Sequence, residues 1–283
     1  MKKILNILFV FAAGFLLTIS PAMAAQTNWT SKANVERVNR IGKALLAKNN
    51  LPTKITFKVI ETDDVNAFAN ADKEIYVYTG LLKFVNNDSE LAGVIAHEIG
   101  HIVNHHVAKQ NVVNTVTSTA IYNVNLDARL KAGMNTANNL TMLKMSRTEE
   151  YEADITGVDL MTKAGYNPLA MVSVLFKIGG SYADFTSTHP SGDKRTMYIY
   201  DYITYTYPDK AKLNYDTDSY KKFMLYAKPI VDERNADPKK LAKFKKEQAK
   251  LQQKRIAKLE KYKTAKDSNA WDKSFNVIRA ISN

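Results

Sequence analysis

Between Ser89 and about Gln110 the chain has no proline, and its only glycines are Gly93 and Gly100. Leu91, Val94, Ile95, Ile99, Ile102 and Val103 are spread along this run. The pattern predicts one long helix buried nearly all round. Asn86, Asn87 and Asp88 stand before it as candidate caps. Polar side chains inside such a helix need partners. His97, Glu98 and His101 lie in it as His-Glu-x-x-His. A helix turns about 100° per residue, so the two imidazoles sit one turn apart on one face. Such a pair can bind one Zn2+ at about 2.0–2.1 Å. Glu98 beside them is placed to take a proton from water activated by the metal.

Zinc needs a third protein ligand. One class of zinc peptidase continues the motif to a Gly and a third His, but here those positions hold Asn104 and Val107. In a continuous helix His105 points past the metal and His106 faces away by about half a turn. Both read as surface or hydrogen-bonded core histidines. The better source is Ser146-Arg147-Thr148-Glu149-Glu150-Tyr151-Glu152-Ala153-Asp154. Glu150 and Asp154 are four apart and share a face, which gives a metal ligand and a carboxylate to hold the N–H of a ligating His. Glu149 and Glu152 fall off that face by about 100° and 200°.

The start of the chain reads as an export signal. Lys2 and Lys3 precede an apolar run from Ile4 to Ile19, then Ser20, Pro21 and Ala22-Met23-Ala24. This is a charged region, an apolar region and an A-x-A site, with cleavage expected before Ala25. The mature protein is then expected to be soluble and to work in the periplasm or on the extracellular face. Forty Lys and Arg against 28 Asp and Glu give a net +12, and removing two lysines leaves +10. The excess favours anionic partners. The absence of Cys excludes disulfides, thiolate catalysis and Cys-based metal sites.

Three segments are expected along the chain: residues 1–24 as the signal, 25–208 as a metallopeptidase domain and 209–283 as a basic, largely helical extension. Lys32 to Lys48 reads as an amphipathic helix on Val35, Val38, Ile41 and Leu45, stopped by Asn49-Asn50-Leu51-Pro52. Ile55, Phe57 and Val59 alternate as a strand. Val65 to Ala69 and Ile75 to Tyr78 read as two more, turned by Asn70-Ala71-Asp72. Helices are expected over Ser146 to Lys163 and Leu169 to Ile178, and a loop then a helix over Thr186 to Tyr207. The fold class is mainly α with a small β-sheet beside the active-site helix.

These residues resemble the HtpX-like and Oma-like zinc metalloendopeptidases, a gluzincin-type family, and among them the secreted BepA- and LoiP-like envelope proteases. The resemblance runs from about Asn66 to Arg195. It rests on Asn66-Ala67-Phe68-Ala69, on Ile75 to Leu82, and on Glu90 to Ala96 leading into the zinc helix. It continues through Ser146-Arg147, Glu150 to Asp154, Gly157, Ala164 to Pro168, Thr188-His189-Pro190-Ser191 and Arg195. It implies one zinc per chain on His97, His101 and Glu150, with Glu98 as general base. It implies that Asp154 supports a ligand and that His189 and Arg195 lie near the metal. It implies that Asn66, Ala67, Phe68 and Ala69 border a cleft where an extended peptide adds as a strand. His189 could then stabilise the oxyanion, or fill the open metal position until it is released. The implied substrates are misfolded or misassembled envelope proteins; a zinc-bound chaperone or assembly factor is the alternative. The stretch from Asn111 to Lys144 is poorer in Gly and Ala than the family pattern, and the tail after Asp209 matches neither the helical-repeat domain of the BepA-like members nor the membrane helices of the HtpX-like ones.

That tail holds 13 Lys and Arg against three acids between Arg234 and Lys266. Leu241, Phe244, Leu251, Leu259 and Tyr262 fall within roughly an 80° stripe, with Ile256 off its edge and Gln248 and Arg255 inside it. The expected arrangement is an arm packed by this stripe with its basic face in solvent. The alternative is docking on an anionic membrane or envelope polymer; nucleic acid is not expected.

Overall fold

The computed structural model describes residues 31–51, 54–107, 145–180, 189 and 192–264. The expected signal peptide and the stretch from 111 to 144 lie outside them, as do the side chains of Leu259 and Tyr262. The fold is mostly helical with one small sheet. Among the described residues no helix is long and apolar enough to cross a membrane.

Helix α1 (Lys32–Asn49) starts at Ser31, whose hydroxyl accepts from the Asn34 N–H, and ends at Asn50 in the left-handed region at φ 52°. Its buried face carries Val38, Ile41 and Leu45. It packs on β1 (Thr56–Ile60), which with β2 (Ala67–Ala69) and β3 (Glu74–Tyr78) forms a sheet of order β1-β3-β2. Strand β3 runs parallel to β1 and antiparallel to β2, with Ala67 opposite Val77 and Ala69 opposite Ile75. The β2–β3 turn closes through the Asn70 N–H donating to Glu74 O, with Lys73 at φ 61°. Ile75 and Val77 are buried, while Phe68 and Tyr76 stack at 4.9 Å on the other face. Strand β2 is therefore an edge strand, two residues shorter than the expected Val65–Ala69.

Helix α2 (Thr79–Phe84) follows directly and has no counterpart in the sequence expectation. Helix α3 (Asp88–Val103) is capped by Asn87, whose side chain accepts from the Ser89 and Glu90 N–H groups. It is buried along its length, as expected, but it ends at Val103 and not near Gln110. Asn104 folds its amide back onto Gly100 O at 2.8 Å, and His105 takes φ 61°. Neither residue is Gly or Pro, and Asn104 alone is a weaker stop signal than either.

Helix α4 (Arg147–Lys163) carries a capping box between Ser146 and Glu149. Helices α5 (Leu169–Gly179) and α6 (Asp193–Thr206) complete the layer around α3 and α4. Helix α3 packs most extensively on α4, and glycine makes the close approach possible. A Cβ on Gly100 would stand 2.6 Å from Ala153 O, and one on Gly157 3.0 Å from His97 N. The histidine face of α3 is thus pressed against the Glu150 face of α4.

The core continues beyond residue 208. After the short α7 (Pro208–Ala211), Tyr215 and then Phe223 and Ala227 of α8 (Asp218–Ala236) join it, with α8 on α5. Helix α9 (Pro238–Thr264) lies on α6 and α8. Arg234 links all three: it donates to Asp201 at 2.7 Å and lies 3.7 Å over the Phe244 ring. Leu241, Phe244 and Leu251 are half-buried and Ile256 is exposed. Among the described side chains of the stripe the most deeply buried are polar, Gln248 and Arg255.

Candidate metal centre

Helix α3 presents His97, Glu98 and His101, and α4 presents Glu150 and Asp154 one turn apart. His189 comes from the loop before α6, and Arg195 from the first turn of α6. All seven are buried. His97 Nε2 and His101 Nε2 are 3.0 Å apart, and His97 Nε2 is 3.3 Å from His189 Nδ1. Glu150 Oε1 lies 3.3 Å from His101 Nε2 and 3.0 Å from His189 Nδ1. The candidate ligand atoms of His97, His101, Glu150 and His189 all fall within 4.8 Å of one another.

These spacings fit a metal. Ligand atoms about 2.0–2.1 Å from one tetrahedral ion stand roughly 3.3 Å apart. Two imidazole lone pairs at such a distance repel unless a cation or a proton lies between them. The charge points the same way: Glu98, Glu150 and Asp154 are buried carboxylates, and Arg195 is a single guanidinium among them. A dication would balance the set. Glu98 Oε1 is also buried with no hydrogen-bond partner among the described residues.

Each carboxylate has its own environment. Burial pushes the Glu98 carboxyl up, with only partial relief from His189, His97 and the Ala69 N–H that donates to it. That N–H belongs to β2, so the sheet edge ends at the Glu98 carboxylate. Burial would also raise Glu150, but Arg195 and His189 outweigh it and hold the group well below the usual range. Asp154 is lowered in the same way by Arg195 and His97. Arg195 bridges the two, 2.5 Å from Glu150 Oε2 and 2.6 Å from Asp154 Oδ2. Burial, and then His97 beside it, press His101 well below its ordinary value, so it is neutral and can offer a lone pair. Asp154 Oδ1 lies 2.8 Å from His97 Nδ1, the nitrogen turned away from the ligand set.

The remaining acids of α4 are otherwise engaged. Glu149 accepts from Ser146 N and Oγ at the cap. Glu152 lies 3.2 Å from His106 Nε2. Here the helix-face reading of His106 fails. Because α3 breaks at Asn104–His105, His106 does not face away from the site; its Nδ1 stands 3.0 Å from His101 Nδ1. The residue was visible in the sequence, but the break that turns it inward was not.

A model of peptidase family M48 matches residues 32–202. The mitochondrial metalloendopeptidase OMA1 of Arabidopsis thaliana is 38% identical over 149 residues, covering 50% of this chain and 30% of that protein. The beta-barrel assembly-enhancing protease of Yersinia pestis is 28% identical over 177 residues, covering 56% of this chain and 36% of that protein. Metalloprotease YcaL of Escherichia coli is 31% identical over 183 residues, covering 59% of this chain and 69% of that protein. The chain thus spans about a third of the first two relatives and most of the third. The family match runs from α1 into α6 and includes every residue of the metal centre: this chain belongs to peptidase family M48.

Proposed function

We propose that the protein is an exported zinc endopeptidase of envelope protein quality control. The observation that carries this is the convergence of His97, His101, Glu150 and His189 ligand atoms within 4.8 Å, with the Glu98 carboxylate beside them. One zinc would be held by His97, His101 and Glu150. When bound it supplies a Lewis acid that polarises the scissile carbonyl and lowers the pKa of water. Glu98, raised by burial, takes a proton from the attacking water and passes it to the leaving amine. Asp154 fixes the His97 ring, and Arg195 keeps Glu150 and Asp154 ionised. The outer edge of β2, with Asn66 before it, receives the substrate as an added strand beside Glu98, which the Ala69 N–H reaches.

His189 serves as a gate: at rest its Nδ1 stands among the ligand atoms, and it must leave before substrate enters. Once displaced, it can hydrogen-bond the developing oxyanion. The same observation favours a second reading, a zinc-bound chaperone or assembly factor whose protease is latent. The names of the envelope relatives and the N-terminal signal pattern support export and envelope substrates. The signal would end at Ala24, the peptidase domain would run to residue 208, and the segment after it would form the arm. The lysine face of that arm would be the part to meet an anionic membrane or polymer.

The test compares Glu98→Gln with wild type for zinc content, casein cleavage and rescue of function in the host. Glu98→Gln is expected to keep zinc and to lose cleavage by more than about a hundredfold. Full rescue of function by the cleavage-dead variant would favour the chaperone reading. Retained cleavage would remove Glu98 as the base.

A further inference from the structure

The two candidate zinc histidines are held from behind in different ways. His97 has a carboxylate directly on its outer nitrogen, Asp154 Oδ1 at 2.8 Å from Nδ1. His101 has an imidazole there, His106 Nδ1 at 3.0 Å, and the Glu152 carboxylate lies beyond it, 3.2 Å from His106 Nε2. We propose that His106, with Glu152 behind it, is the positioning residue that orients His101 for the metal. This rests on the reading of His97, His101 and Glu150 as zinc ligands.

The protons have one consistent arrangement. His101 Nε2 faces His97 Nε2 and Glu150 Oε1, so as a ligand it carries the lone pair. Its proton is then on Nδ1, where it can only be donated to His106 Nδ1. His106 must accept there, so its own proton sits on Nε2 and is donated to Glu152 Oε2. Each ring is thereby fixed in tautomer and in rotation, and a ligand imidazole whose outer N–H is held this way binds metal more tightly. His106 and His101 are fully buried, whereas the Glu152 side chain is 42% exposed, so the relay runs from the centre to the surface.

The backbone is bent to make this contact. In an unbroken helix, position 106 lies about 140° round from position 101. Here α3 stops at Val103 and His105 takes φ 61°, a conformation that costs a residue with a side chain roughly 1–2 kcal/mol. The chain returns to helical form at His106, now on the side of His101. Asn104 secures the bend, donating to Gly100 O at 2.8 Å and to Thr156 Oγ1 of α4 at 2.9 Å.

The experiment is a zinc competition titration against a chromophoric chelator, with the visible spectrum of the Co2+-loaded chain as a second readout. Wild type and the variants His106→Phe, His106→Asn, Glu152→Ala and Glu152→Gln are compared. His106→Phe keeps the ring volume and removes the acceptor; it should bind zinc roughly 10–100-fold more weakly and shift the Co2+ bands. His106→Asn places an amide oxygen near the former Nδ1 and should return to within about threefold of wild type. Glu152→Ala, at the half-exposed end, should lose severalfold, and Glu152→Gln, which keeps an acceptor, should lose less. Wild-type affinity and an unchanged Co2+ spectrum in His106→Phe would overturn the proposal. So would equal losses in His106→Phe and His106→Asn, the mark of packing alone. If His106→Phe does not fold, Glu152→Ala decides: a shifted spectrum supports the relay, and unchanged binding overturns it. A wild type that binds no zinc would instead refute the reading of the centre itself.

Discussion

The seam between α3 and α4 and the arm made by α8 and α9 are both rich in charge, yet they treat charge in opposite ways. At the seam, His97, Glu98, His101, Glu150, Asp154 and Arg195 are all buried. Taking such groups out of water costs several kcal/mol each unless partners are supplied. All but Glu98 are held at a fixed distance by one another, Glu98 takes the Ala69 N–H, and two glycines let the helices close on them. On the arm, Lys239, Lys243, Lys246 and Lys250 are exposed, and solvent itself satisfies them. Buried charge constrains sequence and geometry tightly; solvated charge constrains little beyond composition. Among the described residues the arm departs from this at Arg234, paired with Asp201, and most at Arg255, which is buried against α4.

The largest effect is expected from breaking the seam at its third ligand. Glu150→Ala should lose stoichiometric zinc and with it all cleavage. It also removes one of the two carboxylates that Arg195 bridges. Glu149→Ala and Glu152→Ala should still bind one zinc per chain, because neither side chain enters the ligand set. Glu149→Ala should cost about 1 kcal/mol of stability through the lost cap. Metal analysis of the purified chains checks all three. Full zinc in Glu150→Ala would mean that His189 or another group is the true ligand.

The same contrast explains what could be read from the sequence. His97 and His101 are legible because a helix turn converts a spacing of four into one face. Glu150 with Asp154 is legible for the same reason, and Ser146 with Glu149 marks where that helix starts. Each is a local rule acting within a few residues. His189 follows no such rule: it lies 92 residues from His97 and comes from a loop, so only the family resemblance pointed to it. His106 is the hydrogen-bonded core histidine the sequence allows, but it faces His101 and not away, because the stop at Asn104 is held by a tertiary contact to Thr156 on α4 that no local propensity records. Helix α2 went unread because six residues are too few to establish a helical period. On the arm the apolar stripe is legible, but the deepest of its described side chains are the polar ones that interrupt it.

A middle-sized effect is expected where the arm behaves like the seam. Arg255 donates to Thr156 Oγ1, and its Nε stands 3.8 Å from Asp159 Oδ2. Asp159 also accepts from the hydroxyls of Tyr202 and Tyr207 at 2.7 and 2.8 Å, so it keeps partners when the guanidinium goes. Arg255→Met, which preserves the apolar stem, should therefore destabilise by about 1–3 kcal/mol and not by the larger cost of a wholly orphaned ion. Thermal unfolding measures this. Zinc affinity should stay within about threefold of wild type, because Arg255 touches no group of the relay or the ligand set. A loss of zinc as large as that of His106→Phe would mean that the arm braces the metal centre through Thr156 and Asn104, and the two regions could no longer be treated apart.

The smallest effect is expected from the solvated face. Replacing Lys239, Lys243, Lys246 and Lys250 with Ala removes four charges from a net of +12. Among the described residues none of the four ion-pairs with a buried acid, and Lys243 reaches Glu247 on its own helix, at 4.0 Å with both side chains exposed. Pairs of that kind contribute little, and lysine repulsion along one helix face is relieved at the same time. The unfolding midpoint and zinc binding should thus match wild type. Vesicle pelleting is the measurement that can separate the two uses of this face. If the lysines dock on an anionic surface, wild type should pellet with anionic vesicles at low salt and be released as the Debye length falls to about 10 Å near 0.1 M. The four-alanine variant should then lose that binding while cleaving casein normally. Equal pelleting of wild type with anionic and neutral vesicles would remove the docking role and leave the lysines as the solvated outer face of a packed arm.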